Sequence, residues 1–172
     1  MKIVIFGCGG SGKSTLARQL GAILHIPVIH LDQLYWRPGW QHVTDQEFDE
    51  ILHEKLAAEN WIMDGNFSRT LPLRLEHSDI AIYLDFSRLT CIRGVIGRVI
   101  RYYGRTRPDM GADCPDKFDL EFLSWVWSFN RKNRSRYYQM LNELQGREVH
   151  ILRKRREIKR LIKTFQDNPI PS

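Results

Sequence analysis

The stretch that most constrains the fold is Lys2 to Thr15, where the apolar run Ile3-Val4-Ile5-Phe6 enters Gly7-Cys8-Gly9-Gly10-Ser11-Gly12-Lys13-Ser14. It matches G-x-x-x-x-G-K-[ST] without a gap. Glycines at these places let successive backbone N–H groups turn inward around an anion, and the helix that follows adds the positive end of its dipole. Leu16, Leu20, Ile23 and Leu24 continue at helical spacing. A strand therefore precedes the loop and a helix follows it, the context a phosphate loop requires. Gly7, Gly9, Gly10, Ser11, Gly12, Lys13, Ser14 and Thr15 are the expected nucleotide-binding residues, with Lys13 charged toward the β- and γ-phosphates and Ser14 offering a hydroxyl to Mg²⁺.

At 172 residues the chain is expected to form one domain, residues 1–172. Its apolar runs are strand-sized, too short for a membrane span, and the N-terminal run ends in the phosphate loop rather than in a cleavage site. A cytoplasmic location is the expectation. Cys8, Cys91 and Cys114 are odd in number and far apart, so they suggest reduced thiols rather than a disulfide framework or a C-x-x-C metal site. Cys8 is either a thiol activated by loop N–H groups or a filler of a variable position. Residues 1–87 carry a net charge of −4 and residues 88–163 a net charge of +11. Such asymmetry points the second half at something anionic, the nucleotide or a polyanion.

Downstream, Ile26 to Asp32 reads as a second strand, placing Asp32 at the ligand-binding edge of an open α/β sheet. There it either touches a substrate or caps the Gln33-Leu34-Tyr35 turn. Tyr35-Trp36-Arg37-Pro38-Gly39-Trp40 is an aromatic turn, suited to stacking on a flat ligand or to packing under a helix. Thr44 and Glu47 form a capping box for a helix through about residue 58. Trp61 to Gly65 reads as a third strand, and Asp64 at its end is the expected carboxylate for the water shell of Mg²⁺. Arg69 and Arg74 follow as candidate phosphate forks. Ile80 to Asp85 is a fourth strand. A helix from about Ser87 to Tyr103 carries Arg93, Arg98 and Arg101, most of them expected on a solvated face. Residues 104–118, rich in Gly and Pro and without period, read as a mobile lid bearing Arg105 and Arg107. A long helix, about Leu120 to Leu144, sets Arg131 and Arg134 on one face, aimed at a phosphate or at solvent. Val149 to Leu152 is a fifth strand. A final amphipathic helix begins in the basic run Arg153-Lys154-Arg155-Arg156, and Asn168 to Ser172 reads as a frayed tail.

With these motifs placed, the chain resembles the adenylate-kinase-like branch of phosphate-loop kinases. Asp64-Gly65 and Arg69-Thr70 are similar to that family's D-G-F-P-R-T segment, with one residue inserted and the proline missing. Leu31 to Trp36, Asp64 to Thr70 and Arg105 to Met110 more closely resemble the bacterial proteins labelled DNA topology modulation proteins, a similarity that spans nearly the whole chain. The resemblance implies a three-layer α/β/α fold with a five-stranded parallel sheet of order 2-3-1-4-5, ATP with Mg²⁺ as ligand, and lid arginines, here Arg105 and Arg107, near the transferred phosphoryl group. The second strand ends in His30-Leu31-Asp32 rather than the threonine-glycine turn that adenylate kinases use around AMP, which argues against AMP as acceptor.

Three functions fit these features. The first is an ATP-dependent phosphotransferase acting on a small molecule, its catalytic residues drawn from Lys13, Asp32, Arg105, Arg107 and Arg131. For a hydroxyl acceptor Asp32 is the general base and Trp36 lines the acceptor site; for a nucleoside monophosphate Arg69 and Arg74 grip its phosphate instead. The second is a nucleotide-dependent, DNA-associated regulator, with weak, non-specific nucleic-acid binding. The third is a slow ATPase acting through partner contacts. The oligomeric state is not legible.

Overall fold

A computed structural model describes residues 1–167; Asn168 to Ser172, expected to fray, lie outside the described residues. Strand β1 (Lys2–Gly7) is the centre of a parallel sheet. Ile3, Val4, Ile5 and Phe6 are fully buried, because helices cover both faces of such a sheet and an apolar run without polar alternation suits that place. Around it lie β2 (Val28–His30), β5 (Trp61–Asp64), β6 (Ile80–Leu84) and β7 (Glu148–Leu152), in the order β2-β5-β1-β6-β7. Two short strands, β3 (Trp36–Arg37) and β4 (Gln41–His42), pair separately as a hairpin, so the five sheet strands counted alone follow 2-3-1-4-5.

The helices are α1 (Lys13–Leu24), α2 (Leu31–Tyr35), α3 (Asp45–Leu56), α4 (Leu71–Glu76), α5 (Arg88–Tyr102), α6 (Leu120–Asn142) and α7 (Arg155–Asp167). Their starts follow local chemistry. The Thr44 hydroxyl accepts from the Glu47 N–H at 3.1 Å, Ser87 accepts from the Thr90 N–H, and Asp119 accepts from the Phe122 N–H at 3.0 Å. The basic run before α7 closes with Glu157, which accepts from the Arg153 and Lys154 N–H groups.

Three places depart from the sequence reading. The second strand stops at His30, since the fully buried Leu31 turns the chain into α2. Asp32 then lies inside the first turn of α2, and the N-cap position belongs to His30. The aromatic turn is a hairpin, folded at Pro38–Trp40 with Gly39 at φ 73°. Arg98 is not on a solvated face: it lies 3.1 Å from Asp116 and stacks over Phe122, where α6 crosses α5.

Residues 104–118 contain no helix and are tied to their surroundings. Bridges join Tyr103 to Asp116 and Thr106 to Pro115. The segment also docks on the hairpin. The Gly39 N–H donates to Asp113 O, the Cys114 thiol to Arg37 O at 3.2 Å, and the Gln33 amide to Pro108 O at 2.6 Å. Gly111 sits so close to the Trp36 backbone that a Cβ there would strike the Trp36 carbonyl.

Candidate active site

The loop between β1 and α1 adopts a conformation that glycine allows. Gly10 has φ 76° and would place a Cβ 2.7 Å from the Val95 N; Gly12 has φ 98° and faces open space. Across the mouth, Lys13 Nζ donates to Cys8 O at 3.0 Å. Ser11 is fully buried and its hydroxyl has no protein partner among the described residues. An unsatisfied buried hydroxyl is costly unless a ligand or water takes it; it is the open space at Gly12, beside Lys13, that fits a phosphate. The Ser14 hydroxyl donates to Asp64 Oδ2 at 2.8 Å, and His30 Nδ1 donates to Asp64 Oδ1. Hard oxygen donors from one hydroxyl and one carboxylate suit Mg²⁺, which shares its shell with phosphates and water. Among the described residues no three His, Cys, Asp or Glu side chains converge on a metal position by themselves.

This loop forms one wall of a cavity of about 1060 Å³. That is at the upper end of the roughly 300–1,000 Å³ of small-molecule sites. Asp32, Trp36, Trp40, Phe67 and Met110 line it, as do Arg93, Arg98 and Arg101 of α5. Trp36 and Trp40 meet edge to face at 5.4 Å. The Asp32 carboxylate has no hydrogen-bonding partner among the described residues. Burial pushes its pKa up, against the pull of Lys13 and Arg107, and the nearby Asp64 and Asp109 add to the rise.

The segment over the cavity brings its own charges. Arg107 Nη1 pairs with Asp109 Oδ2 at 2.8 Å and its Nε lies 3.1 Å from Asp116 Oδ2. Asp109 also faces Arg18 at 3.6 Å. Burial alone would raise the Asp109 carboxyl, but Arg107 outweighs it and holds the group below the ordinary carboxylate range.

No family model matches the sequence, and no curated protein matches it. Among solved structures, a shikimate kinase from Bacteroides thetaiotaomicron superposes with a TM-score of 0.58 at 18% identity, over 97% of this chain and 96% of that one. A kinase candidate from Chloroflexus aurantiacus gives 0.55 at 14% identity, over 96% and 97%. The chain has the phosphate-loop kinase fold.

Within this phosphate-loop kinase fold the expected site residues divide. Gly9, Gly10, Gly12, Lys13, Ser14, Thr15, Asp32, Trp36 and Arg107 line the cavity. Gly7 and Ser11 are packed behind the loop, and Asp64 is buried under Ser14. The remaining arginines are placed otherwise. Arg69 is bound outside the cavity to Asp49 at 2.8 Å and Asp45 at 3.3 Å. Arg74 is fully buried and donates to Gly65 O and Phe67 O; burial lowers its pKa to about 10. It is a strut beneath the β5 turn, not a phosphate fork. Arg105 is exposed and holds its segment through backbone bonds to Tyr102 and Asp116. Arg131 is exposed and does not line the cavity, while Arg134 is taken by the buried Asp85 at 2.8 Å. Cys8 is a filler: it packs against Val126 O, and a hydrogen bond with Cys91, then burial, push its thiol up. Sequence reasoning missed Arg18, Asp109 and Asp116 as site groups, because neither the helical period nor the Arg105 to Met110 motif says where these side chains turn.

No helix among the described residues is long and apolar enough to cross a membrane.

Proposed function

We propose that this chain is an ATP-dependent phosphotransferase that moves the γ-phosphoryl group of ATP to a hydroxyl of a small acceptor. The observation that carries the reading is Asp32: an unpaired carboxylate in the cavity that the phosphate loop walls, with both expected acceptor-phosphate forks, Arg69 and Arg74, committed elsewhere. An acceptor carrying its own phosphate would find neither of those two and would have to be met by arginines of α5 such as Arg93 and Arg101. One with a flat or apolar body would pack on Trp36, Trp40, Phe67 and Met110.

In this proposal Asp32 takes the acceptor's hydroxyl proton as the oxygen attacks the γ-phosphorus, the bond from that phosphorus to the β,γ-bridging oxygen breaks, and ADP leaves. A raised carboxyl pKa makes Asp32 a stronger base toward the acceptor hydroxyl once it is ionised. Lys13 and the loop N–H groups neutralise charge on the phosphates. Arg107, as part of a lid over residues 104–118, reaches the same space. Magnesium, held through Ser14 and Asp64, would supply further charge neutralisation on the β- and γ-oxygens. The likeness to proteins labelled DNA topology modulation proteins rests on the motifs at Leu31, Asp64 and Arg105, and leaves the acceptor open.

The test is ATP consumption against a panel of nucleoside monophosphates, nucleosides and small alcohols, with wild type and Asp32→Asn in parallel. The expected result is an alcohol acceptor whose phosphorylation falls at least about 10²-fold in Asp32→Asn while ATP affinity is kept. Efficient AMP phosphorylation that survives Asp32→Asn would overturn it.

A further inference from the structure

His30 and Asp64 are register partners on the adjacent strands β2 and β5, so their side chains emerge on the same face of the sheet. They are nearly sealed, at 8% and 3% exposure. Asp64 is gripped on both oxygens: Oδ2 receives the Ser14 hydroxyl at 2.8 Å, and Oδ1 meets His30 Nδ1. An ionised carboxylate only accepts, so Nδ1 must carry the proton. No other side chain among the described residues donates to Oδ1.

We infer that His30 is a positioning residue for the magnesium–nucleotide complex, holding the Asp64 carboxylate so that Oδ2 stays at the phosphate-loop serine. The inference rests on the assignment of Ser14 and Asp64 to magnesium. The geometry sets the logic. With Oδ1 tethered, rotation about the Asp64 side chain is blocked and Oδ2 keeps one direction. Without the tether the carboxylate is free to turn either oxygen to Ser14 or to neither. Partner groups of this kind typically change metal affinity by about 10–100-fold when removed. Loss of an ordinary core hydrogen bond would instead lower stability and leave metal dependence alone.

The test compares wild type, His30→Leu and His30→Asn by calorimetric ATP titration, first in chelator and then over a magnesium series. Asparagine is informative because its side-chain amide N–H sits close to where Nδ1–H was. In chelator, the three proteins are expected to bind ATP within about 2-fold of one another. The magnesium concentration giving half of the metal-dependent gain in affinity is expected to rise about 10–100-fold in His30→Leu and to return most of the way in His30→Asn. If His30→Leu does not fold, His30→Gln, whose donor is displaced by one methylene, replaces it with the same expected rise. Unchanged magnesium dependence in the apolar or displaced variant overturns the inference, as does an asparagine variant no better than leucine. The readout is binding, not turnover. A wild type that binds magnesium–ATP and phosphorylates nothing would therefore defeat the kinase reading and leave this one standing.

Discussion

Asp32 and Arg74 show how a half-buried charge in a cavity differs from one sealed inside the protein. Asp32 faces a cavity with no partner, so its folded-state carboxyl pKa lies above the unfolded value. For a carboxyl shifted in that direction, the stabilising contribution is present at low pH and is lost as pH rises through the folded pKa. Asp32→Asn is therefore expected to raise the melting temperature at neutral pH, with the gain shrinking as pH falls from the raised pKa toward the ordinary carboxylate range and absent below it; melting curves across pH measure it. Wild-type transfer should rise with pH through that elevated pKa. Arg74, by contrast, supports two carbonyls inside the protein. Arg74→Ala would strand Gly65 O and Phe67 O and open a void, at a cost of about 2–4 kcal/mol in urea unfolding. Arg69→Ala, removing a half-exposed pair, should cost less than about 1 kcal/mol and leave turnover unchanged.

Among elements, caps and crossings act separately. Thr44 closes α3 well away from the phosphate loop, and Thr44→Ala should lower stability by about 1 kcal/mol without changing kinetics. The α5–α6 crossing matters more for the site. Phe122 and Trp125 of α6 rest against the phosphate loop at Gly9, where a Cβ would come within 2.8 Å of the Phe122 ring. Elements that a local pattern defines were legible: β1, the loop, α1 and the Thr44 cap all follow from spacing along the chain. The orientation of a helix was not. Arg131 and Arg134 do share a face, but which way that face points is decided by how Phe129 and Tyr137 bury themselves, and it turns Arg134 to Asp85. Arg74 was misread for a related reason, since a guanidinium under a turn and one on a phosphate look alike in a string of letters. Asp109 and Asp116 belong to an aperiodic segment that is seated by bonds to the distant Gln33, Arg37 and Gly39.

Across the whole molecule, the charge imbalance sets association. The basic run at Arg153–Arg156 is exposed, and such a surface without a base-reading element attracts phosphates weakly and without sequence preference. Duplex binding, measured by anisotropy, should be feeble at low salt and absent at moderate salt. The contact of Gly111 with the Trp36 carbonyl reaches furthest. It pins the segment 104–118 to the hairpin that carries Trp36, so two walls of the cavity are fixed to one another. If ATP and the acceptor of the proposed reaction each press on one of those walls, each must tighten the other by the same factor. Gly111→Ala, which cannot seat against that carbonyl, should bring this synergy close to one while each ligand binds alone as before.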